Sequence, residues 1–595
     1  MDIKVVLPLV HLDNLVFTPL PQFTLKAYAV GKGVCREEEI EIIEFSREDD
    51  IANSLMSILE TKPQIVGFSC YVWNFLVVEK ISNAIKGMLG EKCLIVWGGP
   101  HISEKPYMFA QKYPNSVDLV VGWYGEKSFS DIIDLHKKHY SNREIAEQIK
   151  GVWSIETPDK KADFDFVPLD EIPNPHVYDW FPQTLKDQIS ERVFLVETYR
   201  NCPFQCGYCL WGQADNKING VSAESVKATF DSLIEMGARH FKFADAGLGL
   251  LKKRDKEIFR YFIEKKVWEI GVNLRTYYFW QILDEEWCEI FRILIDKKVV
   301  GQLDIGIQTF NPETLDAMKR PTNFTKFDKV MKMIQKWELP YSIDLILGLP
   351  GDSLEGWKHS VRQVMNYKPQ RYQSFLCSIL PGTEYDLNRE KYGIKTIYGG
   401  LMDDDEKVIQ TATFPIEDLA EALNIESWLY FAFSINLCSN TIKVIAERTQ
   451  RDIFDLVNVL MNWAKDYGPA MSLAVSGYRD NLYDSRQRGR VEIETAIFGN
   501  FVDIHDELHA FIDVEINEAE IHDILDTELL TFPKNTDVIN SLIDLGKINP
   551  GKNGAFIHER RDQSFWEYSP PKSEPILGVI GTKYSYWTWT PQRIS

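Results

Sequence analysis

Short apolar runs alternate with longer amphipathic segments over the first 150 residues of the chain. The apolar runs predict five strands, at 4–7, 41–45, 65–69, 94–97 and 119–121. The amphipathic segments predict helices at 22–30, 50–60, 74–89, 104–112 and 126–137. Strands that alternate with helices form a parallel sheet that is covered on both faces. We therefore predict a doubly wound, Rossmann-like α/β domain over residues 1–150.

Small residues follow three of these strands, at the edge where a doubly wound sheet binds its ligands. They are Ser69, Gly98 with Gly99, and Gly122. Because small residues let a large flat ligand approach the backbone, this edge is the predicted binding site. The region has no G-x-G-x-x-G fingerprint, which disfavours a nicotinamide cofactor. A flavodoxin-like domain that has lost its ligand is the alternative.

A second strand and helix alternation begins after a proline-rich stretch. We predict a short strand at 152–155. Residues 151–190 are predicted to be an extended linker, because the eight residues from Pro168 to Pro175 include three prolines. Six strands are predicted at 193–198, 241–245, 272–276, 302–308, 342–347 and 372–378, with amphipathic helices between them. Six such units predict a partial or full (βα)6 barrel over residues 191–400, with its site at the carboxyl ends of the strands.

Three cysteines directly after the first barrel strand form a C-x-x-x-C-x-x-C motif. They are Cys202, Cys206 and Cys209. Three thiolates at this spacing on one loop can hold three corners of an iron–sulfur cluster, and no fourth cysteine follows at the spacing of an ordinary ferredoxin site. One iron would therefore stay open to a substrate or cosubstrate. Free thiols in a turn are the alternative.

With this loop on its first strand, the predicted barrel closely resembles the radical S-adenosylmethionine (SAM) superfamily. The resemblance implies that the three cysteines bind a [4Fe–4S] cluster and that SAM chelates its open iron. It also implies SAM-binding roles for four further residues: Tyr208 near the adenine, Asp245, Gln308 and Gly348. Arg275, on the third strand, is a further candidate for SAM binding. The second strand lacks the common Gly-Gly-Glu, so the ligand of the SAM amino group stays open.

Structural roles are the alternatives for four of these residues. Asp245 and Gln308 could cap strand ends, and the turn at Gly348 could be a plain strand-to-helix connection. Arg275 either points into the barrel mouth or forms a structural ion pair.

The first 150 residues resemble the cobalamin-binding domain that precedes many radical SAM enzymes. The matching features are the Gly98-Gly-Pro-His101 turn and the Gly125-Glu126 pair before the last helix. The resemblance implies cobalamin at Ser69, Gly98, Gly99 and Gly122. The D-x-H-x-x-G motif is missing, so no histidine from that motif would bind the cobalt.

Together these resemblances imply a cobalamin-dependent radical SAM methyltransferase acting on a carbon centre of a natural-product or peptide substrate. SAM cleavage would give a 5′-deoxyadenosyl radical, and methylcobalamin would supply the methyl group to the substrate radical. An electron donor such as flavodoxin or ferredoxin is implied as a partner. The alternative keeps the cofactors but performs a rearrangement, a cyclisation or a non-radical methyl transfer.

Two other classes are disfavoured. A non-catalytic sensor would not require the SAM-side motifs. A methylthiotransferase usually holds a second cluster on an N-terminal cysteine set, and Cys35, Cys70 and Cys93 are widely scattered.

The sequence of residues 401–595 predicts a mixed α+β domain. In the radical SAM family that the barrel resembles, a domain in this position usually covers the active site and recognises the substrate. Helices are predicted at 416–437 and 453–463, and strands at 490–497 and 510–516. The run His505-Asp-Glu-Leu-His509 is not H-E-x-x-H, and the hairpin predicted there argues against metal binding. The aromatic residues between 565 and 589 favour a core over a substrate pocket.

Composition is consistent with a cytoplasmic enzyme of several domains. A chain of 595 residues is too long to fold around a single hydrophobic core. The net charge of −21 disfavours a nucleic-acid substrate. Nine cysteines without a disulfide pattern indicate a reducing compartment. We recognise neither a signal peptide nor a membrane-spanning apolar run, so we predict no membrane partner.

Overall fold

The structure is a computed structural model. It describes residues 3–531 except for 12–16, 19, 48, 179, 216, 399–404, 436, 481–491, 494 and 498. Beyond residue 531 it describes the backbone of four short strands.

The N-terminal domain is the predicted doubly wound sheet. Its strands are β1 Val5–His11, β2 Ile40–Ser46, β3 Ile65–Ser69, β4 Leu94–Gly98, β5 Leu119–Val121 and β6 Val152–Trp153, in the order β2-β1-β3-β4-β5-β6. Strands β1 to β5 are parallel, and β6 is antiparallel to β5. Its helices are α1 Leu20–Gly31, α2 Ile51–Glu60, α3 Phe75–Leu89, α4 Pro106–Lys112, α5 Glu126–Lys137 and α6 Asn142–Gln148. The continuous apolar runs are strands buried between two helical layers, as expected for a parallel sheet.

Several boundaries differ from the prediction by a few residues, and two of the differences have a clear local reason. The helix predicted from residue 104 begins at Pro106, because proline suits the first helical turn, where its missing N–H is not needed. The strand predicted at 152–155 ends at Trp153, after which the Ser154 backbone N–H is bonded to the Thr157 hydroxyl in a turn.

The second domain is an open six-unit barrel, as predicted. After helix α7 Gln183–Asp187, its strands are β7 Val193–Val196, the small hairpin β8 Tyr199–Arg200 with β9 Asn219–Gly220, then β10 His240–Phe243, β11 Asn273–Arg275, β12 Leu303–Gln308, β13 Tyr341–Leu347 and β14 Arg371–Leu376. Its helices are α8 Ala223–Glu235, α9 Lys252–Glu264, α10 Glu285–Asp296, α11 Pro312–Ala317, α12 Phe324–Lys336, α13 Leu354–Asn366 and α14 Glu384–Leu387.

The barrel strands form two parallel three-stranded groups. The orders are β11-β10-β7 and β12-β13-β14. Single bridges from Tyr278 to Leu248 and Ile305 connect the groups. Strands β7 and β14 are therefore the two edges of a partial barrel.

The C-terminal region combines helices with two small antiparallel sheets. The helices are α15 Ile416–Leu429, α16 Ser439–Thr449, α17 Ile453–Tyr467, α18 Pro469–Asp480, α19 Phe501–Glu515 and α20 Ala519–Thr531. One sheet has the order β15-β17-β16, from Ser378–Ile379, Glu406–Gln410 and Lys395–Tyr398. The other has the order β18-β19-β20-β21, from Asn549–Pro550, Phe556–Glu559, Phe565–Ser569 and Thr590–Ile594.

Both strands predicted between 490 and 516 are wrong, as is the hairpin predicted at His505 to His509. Described residues 492–493 and 495–497 are helical, and 510–515 lie inside α19. The buried residues of α19 are Phe501, Ile504, Leu508, Phe511 and Ile512. Their spacing of three or four residues is helical, and the alternation seen over seven residues was a fragment of that longer stripe.

The other C-terminal predictions differ in outcome. Helix 416–437 is interrupted by a π-helical turn at Tyr430–Ser434. Of the tail aromatics, Tyr584, Tyr586, Trp587 and Trp589 lie outside the described residues. Across the described ranges no single helix is long and apolar enough to cross a membrane; only Ile416–Ser434 taken together with Ser439–Thr449 meets that test, as a pair bent by 102°.

Candidate functional site

The cysteine loop lies between β8 and β9 and is fixed by backbone hydrogen bonds to the last barrel units. The Gly207 N–H donates to the Met318 carbonyl at 2.8 Å, and the Tyr385 N–H donates to the Gly207 carbonyl at 3.1 Å. A Cβ on Gly212 would lie 2.0 Å from the Phe204 carbonyl oxygen, so only glycine lets the loop close on itself. The loop is thus positioned by both edges of the open barrel.

The thiols of this loop are shielded from solvent. Cys202 and Cys206 are each 6% exposed, and Cys209 is half-buried. Burial raises the pKa of Cys202, and it raises the pKa of Cys209 to about 12. Buried thiols of this kind ionise at neutral pH when a cation or cluster binds them.

The donor set of the loop suits an iron–sulfur cluster. Three cysteines lie on one loop of eight residues, and each can supply one thiolate. With three thiol donors, the loop suits a [4Fe–4S] cluster with one iron free of protein ligands.

Arg320 is the residue of this site that the sequence reasoning missed. Its Nη1 donates to the Tyr208 hydroxyl at 2.9 Å and lies 4.0 Å from Cys206 Sγ, and its Nη2 donates to the Gly306 carbonyl at 3.0 Å. Burial alone would lower the pKa of Arg320, but Tyr208 and Cys206 outweigh burial and raise it. A fixed positive charge therefore lies beside the cysteine loop. More than a hundred residues separate it from the cysteines, so no local motif could have revealed it.

Gln308 lies at the end of β12, two residues after Gly306, whose carbonyl accepts from Arg320. Its φ of 74° lies in the left-handed region, and the register of β12 with β13 shifts between Gly306 and Gln308. A Cβ on Gly306 would lie 2.6 Å from Gln308 Nε2, so the amide folds back over its own strand. Such a backbone conformation is uncommon for a residue with a side chain and often marks a functional site.

Asp245 follows β10 and is bonded to the segment after β7. Its Oδ1 accepts from the N–H groups of Thr198 at 2.8 Å and Tyr199 at 3.2 Å, and its Oδ2 accepts from the Thr198 hydroxyl at 2.6 Å. Burial raises the pKa of Asp245 to about 7, although these hydrogen bonds act in the opposite direction. The contacts match the strand-capping alternative, and a role toward SAM stays a prediction.

Arg275 and Gly348 have other neighbours. Burial lowers the pKa of the half-buried Arg275 at the end of β11, and the charge of Asp304 opposes that shift. Gly348 has φ +81°, and a Cβ there would lie 3.6 Å from Leu419 of α15. Their SAM contacts also stay predictions.

The sheet edge of the N-terminal domain contains the four residues predicted for cobalamin. Gly98 pairs with Ser69 at the end of β3, and a Cβ on Gly98 would be in ordinary contact with Val121 at 3.9 Å, so this position does not require glycine for packing. A Cβ on Gly99 would lie 2.6 Å from the Cys70 carbonyl oxygen, and one on Gly122 would lie 2.7 Å from the Phe164 ring. Gly99 and Gly122 are thus required by the packing of the chain itself, whereas the prediction had explained them only by the approach of a ligand.

Aromatic side chains border this edge. Tyr71 and Trp73 stack in the loop after β3, with ring centroids 4.5 Å apart. His101 is buried against Phe75 and Phe109, with ring centroids 4.9 and 5.5 Å away. Its ring is packed inside the domain core. The half-buried aromatic pair at this edge suits a large flat ring such as cobalamin.

The loop after β5 connects this edge to the cysteine loop. The Tyr124 hydroxyl donates to Asn201 Oδ1 at 2.7 Å, and Asn201 directly precedes the first cysteine. Arg200 donates to both oxygens of Glu126, at 3.1 and 2.6 Å, and to Glu197 at 2.8 and 2.9 Å. These ionic side chains are almost fully buried between the domains.

The loop after β4 makes the second connection. The Lys105 ammonium donates to Asp386 Oδ2 at 2.6 Å, and the Gly382 N–H donates to the same oxygen at 2.7 Å. Gly382 also packs directly against Glu104, where a Cβ would be 1.9 Å from Glu104 Cβ. The ligand edge of the N-terminal sheet therefore spans both edges of the open barrel.

Comparisons with known proteins agree with this architecture. Residues 15–133 match the family model described as "B12 binding domain", and residues 196–364 match the one described as "Radical SAM superfamily". A 2-(S-pantetheinyl)-carbapenam-3-carboxylate methyltransferase from Streptantibioticus cattleyicolor is 24% identical over 416 residues, which are 65% of this chain and 57% of that protein. The cobalamin-dependent radical SAM methyltransferase TokK from Streptomyces tokunonensis is 22% identical over 388 residues, or 61% of this chain and 56% of TokK.

A solved structure also resembles this chain in fold. It is the cobalamin-dependent S-adenosylmethionine radical enzyme OxsB with aqua-cobalamin and S-adenosylmethionine bound. The TM-score is 0.57 at 14% identity, over 93% of this chain and 82% of OxsB. The matched sequence spans little more than half of each of the two methyltransferases.

Proposed function

We propose that this radical SAM protein, which carries a B12 binding domain ahead of its radical SAM domain, is a C-methyltransferase. Its substrate would be a natural product or a peptide with a carbon centre to be methylated. SAM, a [4Fe–4S] cluster and cobalamin are the cofactors of this chain.

The contact between Tyr124 and Asn201 is the observation that carries the proposal. Tyr124 follows β5 at the predicted cobalamin edge, and Asn201 precedes Cys202 of the cysteine loop. The hydrogen bond of 2.7 Å between them joins residues that neighbour the two predicted cofactor sites. We call this contact between the N-terminal domain and the barrel, formed by Tyr124, Glu126, Arg200 and Asn201, the seam. Methyl transfer to a substrate radical needs both sites to face the same cavity, because neither cofactor can diffuse to the other.

When bound, these cofactors supply an electron, a hydrogen-abstracting radical and a methyl carrier. The chain's own residues then have positioning and shielding tasks. In this proposal Cys202, Cys206 and Cys209 hold the cluster, and the Arg320 guanidinium fixes Tyr208 and offsets the thiolate charge. The buried pair of Arg200 and Glu126 closes the seam to water next to the loop.

The names of the two methyltransferase relatives support a small-molecule substrate, since one acts on a carbapenam carboxylate by its name. An electron donor such as flavodoxin or ferredoxin would reduce the cluster. The net charge of −21 favours neither a nucleic-acid substrate nor a strongly acidic one.

Labelled SAM tests the reaction type. The anaerobically reconstituted protein, supplied with cobalamin and trideuteromethyl-SAM, is incubated with candidate small molecules and peptides. We expect a product that carries the trideuteromethyl group on carbon, together with S-adenosylhomocysteine from the methyl donor and 5′-deoxyadenosine from the SAM that is cleaved. An unmethylated, rearranged product with 5′-deoxyadenosine would refute methyl transfer and favour the rearrangement alternative. Methylation that proceeds without 5′-deoxyadenosine would favour non-radical transfer.

A further inference from the structure

Two helices of the C-terminal region bring histidine and aspartate side chains together, far along the chain from the cysteine loop. His505 and His509 are four residues apart on α19 and therefore share one face of that helix. His522 and Asp526 are four residues apart on α20, on the face that meets them. The connection between the helices is only three residues long, so the two faces are held against each other.

Three ligand atoms converge in this cluster. His505 Nε2 lies 3.1 Å and His509 Nε2 lies 2.7 Å from Asp526 Oδ1. Within the described part of the chain, His505, His509 and Asp526 are the one group of three such residues whose ligand atoms all lie within 4.8 Å of one another. Metal–ligand bonds of about 2.0–2.1 Å would set tetrahedral neighbours about 3.3 Å apart, so a small outward shift of the side chains would admit an ion.

The outward nitrogens of both histidines are also bonded. His505 Nδ1 lies 3.0 Å from Asp506 Oδ1, a carboxylate oxygen that can only accept. Asp526 Oδ1 is also a carboxylate oxygen, so both ring nitrogens donate when no ion is bound; with a metal on Nε2, the hydrogen on Nδ1 remains bonded to Asp506. Metal-binding histidines usually have their second nitrogen held in this way.

The second nitrogen of His509 is also bonded. Its Nδ1 lies 2.6 Å from His522 Nδ1, so one of these two nitrogens carries the hydrogen between them. With a metal on His509 Nε2, that hydrogen is on His509 Nδ1 and His522 Nδ1 accepts it. Two ring nitrogens and a carboxylate oxygen then converge as the ligand set of one metal site.

We propose that His505, His509 and Asp526 bind a divalent transition-metal ion of the zinc type, with a fourth position open to water. Two imidazoles and one carboxylate are ligands that zinc and its neighbours accept readily. The site is separate from the cysteine loop and does not depend on the proposed reaction. His522 is a positioning residue that orients His509.

The ion would stabilise the anchoring of α16. Glu528, two residues beyond Asp526, accepts from the backbone N–H groups of Asn440 at 2.6 Å and Thr441 at 2.8 Å, at the start of α16. A metal that joins α19 to α20 would therefore also restrain the N-terminal turn of α16. We expect zinc to raise the melting temperature of the C-terminal region, since an ion that binds only the folded state stabilises it.

The test uses the full-length, cluster-reconstituted protein, washed with a weak chelator and then dialysed with zinc. We expect one zinc per chain above the background, with the iron content unchanged. The zinc K-edge X-ray absorption spectrum should show nitrogen and oxygen ligands at about 2.0–2.1 Å with imidazole scattering. This spectrum is specific for zinc and is not obscured by iron or cobalt.

Variants sharpen the assignment. His505→Gln and Asp526→Asn should lose the zinc, whereas the exposed matched controls His359→Gln and Asp503→Asn should retain it. His522→Ala should retain the stoichiometry but weaken zinc binding by about 10- to 100-fold, as outer-shell changes do.

Three results would overturn the proposal. One is no zinc uptake beyond that of Asp526→Asn, which would mean that protonated histidines alone satisfy Asp526. Another is zinc bound by both ligand variants. The third is a wild-type spectrum dominated by sulfur at about 2.3 Å, which would place the zinc in the cysteine loop. If the ligand variants fail to fold, the wild-type spectrum decides the question by itself.

Discussion

Loss of one charge from the buried ion pair between Arg200 and Glu126 should strongly destabilise the contact between the two cofactor domains. Arg200 is bonded to Glu126 at 2.6 and 3.1 Å and to Glu197 at 2.8 and 2.9 Å. The exposed fractions of the three side chains are 5%, 6% and 17%. Arg200→Met would leave two carboxylates in the seam without their cation.

The expected cost follows from this burial. Removing one partner of a buried ion pair costs about 3–5 kcal/mol, because the remaining charge is left desolvated. At about 2–4 °C for each kcal/mol, the melting temperature of these domains should fall by at least about 6 °C. The double variant Arg200→Met with Glu126→Gln should recover part of this loss, because one buried charge has been removed.

The effect should depend on pH in a defined direction. Burial alone would raise the pKa of Glu126, but Arg200 outweighs burial and lowers it. The pair therefore stabilises the fold above the carboxyl's unfolded pKa of about 4.3 and loses that contribution as the pH falls through the folded value. The difference between wild type and Arg200→Met should therefore shrink as the pH falls below about 4.3.

Calorimetry of the full-length protein measures these shifts, with Arg143→Met as the matched control. Arg143 pairs with Glu147 at 2.8 Å, but both side chains are more than half exposed. An exposed pair of this kind contributes little to stability, because water screens both charges. If Arg200→Met melted like Arg143→Met, or if Glu126→Gln restored nothing, the seam would not depend on this pair.

Two further predictions concern the seam and the barrel. Gly382→Ala should loosen the contact with Glu104 and weaken cobalamin binding, measured by equilibrium dialysis, because the new Cβ would lie 1.9 Å from Glu104 Cβ. The control Gly33→Ala has a similar positive φ and no atom within 4 Å, so it should cost only the backbone strain of about 1 kcal/mol; equal effects of both changes would contradict the reasoning. Asp245→Asn should gain stability over wild type by about 1.4 kcal/mol for each pH unit between about pH 4 and 7, because the pKa of Asp245 is raised to about 7 and the folded protein loses stability as that carboxyl ionises. Denaturant titrations at several pH values check this, and a difference that does not change with pH would exclude an ionising Asp245.

The folds of the two cofactor domains could be predicted from the sequence because their hydrophobic patterns are local and repeated. Strands such as Ile65–Ser69 and Leu119–Val121 are continuous apolar runs whose ends coincide with small or turn-forming residues. The cysteine loop is likewise contained within eight residues. Each of these features needs only a short window to be recognised.

The remaining features depend on contacts between distant residues. Arg320 reaches Tyr208 across 112 positions, and Arg200 reaches Glu126 across 74. No periodicity encodes such pairs. The error at 510–516 has the opposite origin, since a seven-residue window showed alternation where the fifteen-residue helix Phe501–Glu515 has a helical apolar stripe.

That error also concealed the histidine cluster. His505 and His509 lie close together only on a helix, because residues four apart in a strand share a face but are about 13 Å from each other. Asp526 comes from the next helix, so its approach depends on tertiary packing.

The central claim is that Cys202, Cys206 and Cys209 hold a cluster whose open iron accepts SAM. Anaerobic reconstitution with iron and sulfide, followed by iron analysis, absorption spectroscopy and SAM cleavage under reducing conditions, tests it directly. Cys202→Ala is compared with Cys288→Ala, which removes a buried thiol from helix Glu285–Asp296 away from the loop. We predict that Cys202→Ala loses both the cluster and 5′-deoxyadenosine formation, whereas Cys288→Ala keeps both. An intact cluster with normal SAM cleavage in Cys202→Ala would contradict the account.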